Sequence, residues 1–316
     1  MKVSIVTPIY NEAKSLPQLF NELTDVLTKQ GSSYEIIAVD DASKDESFEV
    51  AKAHAQTDSH IKAIRLLVNS GQTAALQAGI DAATGDVIIL IDSDLENDPH
   101  DIPALITKIC EGYDVVSGWR KDRWKGGMVS FLKRKLPSIT ANKIITSITK
   151  VALHDVGCTL KAYKKEVIKP VELYGEMHRF IPFFAKLQGA KITEIPVNYR
   201  ERKFGESKYG ISRTFRVLLD LMLVKFLDRY FTRPMHFFGR IGFYALALSA
   251  ISFAWAIIRK LGGESFIQTP LPVIGSMFLI LAVMLLCMGV LAEILMRTYF
   301  AAKHERAYKV KDSVNL

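Results

Sequence analysis

Ile88–Leu95 reads IILIDSDL, an apolar run stopped by Asp92 and followed two residues later by Asp94. A short continuous apolar run with polar bounds suits a strand buried on both faces, as in a parallel sheet covered by helices. Toward the N-terminus, Val3–Pro8, Glu35–Val39 and Ile61–Leu67 read the same way, and Asp114–Ser117 adds another strand beyond it. Between them, Ser15–Gln30, Asp45–Ala55, Gln72–Ala82 and Pro99–Cys110 read as helices; in the first, Leu16, Leu19, Phe20, Leu23 and Leu27 recur at helical spacing. The alternation predicts an α/β, Rossmann-like domain with a mainly parallel sheet.

Ligands of such sheets bind beyond the carboxyl ends of the strands. Polar residues gather at those ends: Tyr10, Asn11 and Glu12; Asp40 and Asp41; Asn69, Ser70 and Gly71; and Asp92, Ser93 and Asp94. Together they outline one cleft. No GxGxxG follows the first strand and no GxxxxGK[ST] occurs, which argues against dinucleotide oxidoreductases and P-loop ATPases. Carboxylates two residues apart at a strand mouth suit a hard cation, Mg²⁺ or Mn²⁺, that keeps positions for substrate phosphates. Asp94 is the first choice of ligand and Glu96 an accessory one. Asp92 either joins them or binds a sugar or ribose of the ligand. Simple helix capping is the rival reading of the pair.

The C-terminal part has a different texture. Gly239–Ile258 and Leu271–Met296 each hold a single charged residue, Arg240 and Glu293, and each supplies the roughly 20 helical residues that cross a bilayer. The connector Arg259–Pro270 makes them a hairpin. Arg229, Arg233 and Arg240 precede it and Arg297, Lys303, Arg306 and Lys309 follow, so both termini are expected in the cytoplasm of a cell inner membrane or plasma membrane. The N-terminus lacks the pattern of a cleavable signal, which agrees. Ser212–Phe231 reads as an amphipathic helix, either on the membrane surface or packed on the soluble domain. The expected organisation is a catalytic domain over 1–210, a juxtamembrane helical region over 211–238, the hairpin over 239–300 and a cytosolic tail over 301–316. Cys110, Cys158 and Cys287 form neither a metal pattern nor a disulfide framework.

Two basic segments remain. Tyr199–Gly210, YRERKFGESKYG, carries Arg200, Arg202 and Lys208, cations able to grip phosphate oxygens, with Ser207 as a further donor. Arg120–Lys135 mixes basic residues with Trp124, two glycines and Phe131, and reads as a loop shaping the entrance for a lipid acceptor. A net charge of +8 does not make this a nucleic-acid binder, because the basic residues adjoin membrane features and no nucleic-acid motif occurs.

The segments SIVTPIYNE, VDDASKD (Val39–Asp45), NSGQTAALQAG (Asn69–Gly79) and DSDLENDP (Asp92–Pro99) resemble glycosyltransferase family 2, of inverting GT-A fold. DVGCTLKAYKKEV (Asp155–Val167) and the basic segment YRERKFGESKYG narrow the resemblance to polyprenyl-phosphate glycosyltransferases. It implies that Pro8, Tyr10, Glu12 and Asp40 surround the nucleoside, with Asn69 and Gln72 enclosing it. Asp92, Ser93 and Asp94 match the family's Asp-x-Asp, with Glu96 where relatives often have Gln. Arg200, Arg202, Ser207 and Lys208 would hold the acceptor phosphate. Asp155 matches a carboxylate near the acceptor, either a base or an orienting group; His178 is either near the same site or structural.

The expected reaction is attack by a polyprenyl (undecaprenyl) phosphate oxygen on the anomeric carbon of a nucleotide sugar, with inversion and loss of the nucleotide diphosphate. A phosphate monoester with a second pKa of about 6 is already a competent nucleophile at neutral pH. UDP-glucose is the favoured donor; UDP-4-formamido-arabinose, UDP-N-acetylhexosamine and GDP-mannose are alternatives. The resemblance also implies a homo-oligomer, with a tetramer in view. A processive polysaccharide synthase would need more spans and a QxxRW-type segment. A non-catalytic sugar-nucleotide sensor or scaffold would have shed the Asp-x-Asp and the basic residues.

Overall fold

A computed structural model describes residues 1–121, 146, 151–173, 175, 177–201, 226, 230 and 233–303, with no side chains for 297 and 299–303. Its contacts divide the chain into two units, Met1–Val224 and Lys225–Leu316.

The first unit is built on a sheet whose described strands run β3-β2-β1-β4-β6-β5-β7. They are β1 (Lys2–Ile9), β2 (Ser33–Asp40), β3 (Ile61–Arg65), β4 (Val87–Leu90), β5 (Val115–Trp119), β6 (Lys161–Lys164) and β7 (Ile192–Pro196). β1 pairs in parallel with both β2 and β4, and β2 with β3. β6 is inserted antiparallel between β4 and β5, while β5 and β7 are parallel. The fold is thus α/β with a mixed, mainly parallel sheet, as the apolar runs predict.

α1 (Leu16–Gln30), α2 (Ser47–Thr57), α3 (Gln72–Ala82) and α4 (Ile102–Cys110) cover the sheet. α1 buries the predicted stripe, Leu16, Leu19, Phe20, Leu23 and Leu27, and ends on Gly31 at φ 72°. α3 lies close against the sheet because it carries glycine at the contact: a Cβ on Gly79 would stand 2.3 Å from Val6 Cγ1. Among the described residues two shorter helices follow, α5 (Lys165–Ile168) and α6 (Ile181–Leu187).

At the end of the strands opposite the cleft, Glu35 is buried and accepts hydrogen bonds from Ser4 Oγ at 2.6 Å and from Thr84 N and Oγ1 at 2.7 and 2.8 Å. Lys62 and Lys2 pair with it at 2.7 and 3.2 Å. Burial works against this charge, but the Lys62, Ser4 and Thr84 bonds outweigh it and hold the carboxyl well below the usual range.

The second unit is a helical hairpin, α7 (Pro234–Leu261) and α8 (Leu271–Lys303). Both are long and apolar enough to cross a membrane. α7 starts inside the stretch expected to be juxtamembrane. The helices meet through small and polar residues: Ser249 Oγ donates to Gly275 O at 2.8 Å, Ser252 Oγ to Leu271 O at 3.0 Å, and Gly242 faces Ala282 and Leu286. Phe243, Tyr244, Ile251, Trp255, Met277 and Leu295 point outward, each more than half exposed.

Candidate active site

A cavity of about 300 Å³ opens at the carboxyl ends of β1, β2 and β4. Pro8, Tyr10, Glu12, Asn69, Gln72, Asp92, Ser93, Asp94 and Glu96, all singled out in the sequence, line it. Among the described residues, three that are not glycine take left-handed backbone angles, Asn11 (φ 57°), Ala42 (φ 54°) and Leu95 (φ 62°). Each lies just after one of the strands β1, β2 and β4, where the chain must turn sharply to present side chains to the cleft. Leu95 buries its side chain, leaving its neighbours Asp94 and Glu96 to line the cavity. Strained backbone gathered at one cleft is the pattern of a functional site.

Asp92 is held at both oxygens. Gln72 Nε2, from the first turn of α3, donates to Oδ1 at 2.7 Å, and Thr159 Oγ1 donates to Oδ2 at 2.5 Å. Desolvation at the cleft floor and repulsion from Asp94 push its carboxyl up to about 6, against the Thr159 hydrogen bond and the Arg120 charge. Between the two carboxylates, Ser93 Oγ donates to Pro8 O at 2.9 Å, joining the Asp-x-Asp turn to the end of β1.

Arg120 also lines the cavity but is itself buried. Its Nε and Nη2 donate to the two oxygens of Asp155 at 2.7 and 3.2 Å, and Nη1 stands 3.7 Å from Glu96. Burial opposes the guanidinium charge, yet Asp155, with smaller help from Cys158 and Glu96, holds its pKa above the usual value. Lys161, also buried in the lining, donates to Val156 O at 3.0 Å and to Cys158 O. Around the cavity, Asp92, Asp94, Glu96 and Asp155 thus meet Arg120 and Lys161 among the described residues. A set of hard carboxylate oxygens, one of them raised in pKa by burial and then by repulsion from its neighbour, fits a divalent cation, which offsets both.

Several expectations are relocated. Asp40 does not line the cavity: its carboxylate accepts from Ser43 N at 3.2 Å and pairs with Arg65 Nε at 3.4 Å. The next residue, Asp41, lines it instead and anchors the Asn69–Gly71 turn, accepting from Ser70 N at 2.7 Å and Gly71 N at 2.8 Å. The side chains alternate along the extended chain, so one position decides which carboxylate faces the cleft.

Arg200, expected on the acceptor phosphate, instead bridges Glu22 at 2.7 Å and Asp98 at 2.6 Å. Glu22, Asp98 and His100 could otherwise gather as ion ligands, within 4.8 Å of one another, but Arg200 already supplies their cation. Arg120, read as the start of a lipid-facing loop, is an interior residue, while the rest of that segment beyond Lys121 lies outside the described residues. So do Arg202, Ser207, Lys208 and nearly all of Ser212–Phe231. His178 does reach the cavity, with Nδ1 2.7 Å from Thr73 Oγ1, beside Arg179. Thr159 and Lys161 sit within the DVGCTLKAYKKEV segment but nothing in it singled them out, and Arg179 carried no signal of its own.

A cleft at the carboxyl ends of parallel strands, floored by Asp-x-Asp, is the arrangement of a nucleotide-sugar transferase of GT-A fold, and the comparisons with known proteins agree. The model of "Glycosyl transferase family 2" matches residues 4–171, and the chain belongs to that family, within its polyprenyl-phosphate glycosyltransferases. It is 42% identical over 310 residues to dodecaprenyl-phosphate galacturonate synthase of Rhizobium johnstonii, covering 95% of this chain and 89% of the relative. It is 34% identical over 316 residues to undecaprenyl-phosphate 4-deoxy-4-formamido-L-arabinose transferase of Salmonella typhimurium, covering 99% and 94%. Among solved structures, glucosyl-3-phosphoglycerate synthase of Mycobacterium tuberculosis with Mn²⁺ and UDP-glucose aligns at TM-score 0.54 and 16% identity, over 72% of this chain and 78% of that one. At that identity the likeness speaks for the fold.

Proposed function

We propose that the chain transfers a sugar from a uridine-diphosphate donor to the phosphate of a polyprenyl lipid, undecaprenyl phosphate or a near homologue, at a membrane surface. The observation that carries this reading is the convergence of Asp92, Asp94, Glu96 and Arg120 in one cleft. Carboxylates and a buried cation together suit a diphosphate leaving group, and neither alone does.

Tyr10, Glu12, Asn69 and Asp41 wall the nucleoside side of the cleft. Asp92, immobilised by Gln72 and Thr159, orients the donor sugar. Asp94 and Glu96, with Asp92 beside them, would hold Mg²⁺ or Mn²⁺. When bound, that ion supplies Lewis-acid stabilisation of the negative charge that develops on the departing diphosphate. Arg120 adds a fixed cation in the same desolvated space. Arg202, Ser207 and Lys208 are assigned to the acceptor phosphate on the motif they form. The lipid phosphate oxygen attacks the anomeric carbon as the bond to the diphosphate breaks, with inversion. The α7–α8 hairpin is read as two spans whose basic ends lie in the cytoplasm, with the catalytic unit on that side.

For the donor, a UDP-hexuronate such as UDP-galacturonate now stands first. Support comes from the 42% identity to a galacturonate synthase across nearly the whole chain and from two arginines in the cavity lining, Arg120 and Arg179, suited to an anionic sugar. UDP-4-formamido-arabinose stands second. UDP-glucose, favoured from the sequence, lacks a counterpart among these two relatives. Detergent-purified protein with undecaprenyl phosphate, Mn²⁺ and each of the three donors tests the order by the mass of the lipid product. The hexuronate adduct is expected to form fastest; a faster hexose adduct would return the donor to glucose.

A further inference from the structure

We propose that Asp155 serves the transfer as the positioning partner of Arg120 and not as its proton acceptor, with Lys161 fixing the turn that carries it. This inference rests on the proposed sugar transfer and adds a division of labour within that site.

Both carboxylate oxygens of Asp155 are engaged by one guanidinium, through Nε at 2.7 Å and Nη2 at 3.2 Å, and both residues are buried. A carboxylate gripped along its fork by a buried arginine is held in its charged form. To take a proton it would have to give up a charge-assisted bond and leave the buried arginine with only the more distant Glu96, at 3.7 Å, as its counter-charge. Asp155 itself is absent from the cavity lining, whereas Arg120 belongs to it and extends Nη1 toward Glu96. The carboxylate is therefore behind the cation, and the cation faces the reacting groups.

The surroundings reinforce this registration. The residues next in sequence are also matched, Trp119 stacking on His154 with ring centroids 4.4 Å apart, and His154 bonding Glu194. Past Asp155, the buried Lys161 ammonium bonds the carbonyls of Val156 and Cys158. That closes a turn with Asp155 at one end, on Arg120, and Thr159 at the other, on Asp92. The acceptor needs no protein base, because a phosphate monoester is largely ionised at neutral pH.

The test is a double-mutant cycle on the full-length enzyme, reading kcat for lipid glycosylation. Asp155→Asn is expected to lower kcat about 10-fold or more in the wild-type background but less than about 2-fold in an Arg120→Lys background, since its effect runs through Arg120. A base would forfeit about 10²- to 10⁴-fold in both backgrounds. Equal losses in the two backgrounds, or no loss in the first, would overturn the role. Should Asp155→Asn fail to fold, the wild type is compared on polyprenyl phosphate and on a polyprenyl phosphonate of higher second pKa. The acidic limb of kcat is expected to move upward with the acceptor; a limb indifferent to the acceptor would overturn the role. Absence of any lipid product from wild type would reject the reaction itself, a result distinct from product formed with equal losses.

Discussion

Gln72 Nε2 lies 2.7 Å from Asp92 Oδ1, so the first residue of α3 holds the first carboxylate of the Asp-x-Asp turn. The link joins two segments 20 residues apart and makes the helix a positioning element for the cleft floor. Gln72→Glu puts a second carboxylate against Asp92 in place of an N–H donor. A hydrogen bond to a charged group contributes about 1.5–3 kcal/mol, so kcat/KM for the nucleotide sugar is expected to fall at least about 10-fold. Steady-state kinetics in the donor, with melting unchanged within a few degrees, checks it.

Ala42 adopts φ 54° immediately after the Asp40–Asp41 pair. A left-handed angle costs an L-residue roughly 1 kcal/mol that glycine does not bear. Ala42→Gly is therefore expected to raise Tm by about 1–2 °C, the strain relief being partly offset by the greater freedom of the unfolded glycine. Lowered Tm would mean that the alanine methyl makes packing contacts worth more than the strain.

Glu35 sets an acid-side stability limit. Its folded pKa lies below the ordinary value of 4.5, so its contribution is present above pH 4.5 and is lost as pH falls from there through the folded pKa. Glu35→Gln is expected to cost about 2 kcal/mol at pH 7 and progressively less below about pH 4.5. Denaturant unfolding across pH 3–7 reads it directly; a pH-independent loss would contradict the charge argument.

Arg200, expected from the sequence on the acceptor phosphate, pairs in the structure with Glu22 and Asp98. If it clamps Glu22 and Asp98, Arg200→Met and Glu22→Gln should be non-additive, with a coupling of about 1 kcal/mol in stability, and KM for the lipid should change less than about 3-fold. A large rise in lipid KM with full stability would return Arg200 to the acceptor.

The legibility of this chain divides by physical cause. β1, β2, β4 and α3 were readable because burial on two faces writes apolar runs and one-sided burial writes a 3.6-residue period. β6, Lys161–Ala162–Tyr163–Lys164, was not: it begins and ends in lysine, and the first is buried only because two backbone carbonyls accept from it. β7 is short and half-buried, so it writes no such run. The Asp-x-Asp floor was legible from residue type and position at a strand end. Asp41 rather than Asp40, and Arg120 as an interior cation, depend on side-chain direction and on Asp155, a partner 35 residues away.

The most direct test of the account compares wild type and Asp94→Ala in membranes, following label from the preferred nucleotide sugar into undecaprenyl-phosphate-linked product under saturating Mn²⁺. The account predicts product from wild type and a loss of at least about 10³-fold in Asp94→Ala, with equal membrane insertion of the two proteins. Wild-type rates from Asp94→Ala at matched metal would contradict it.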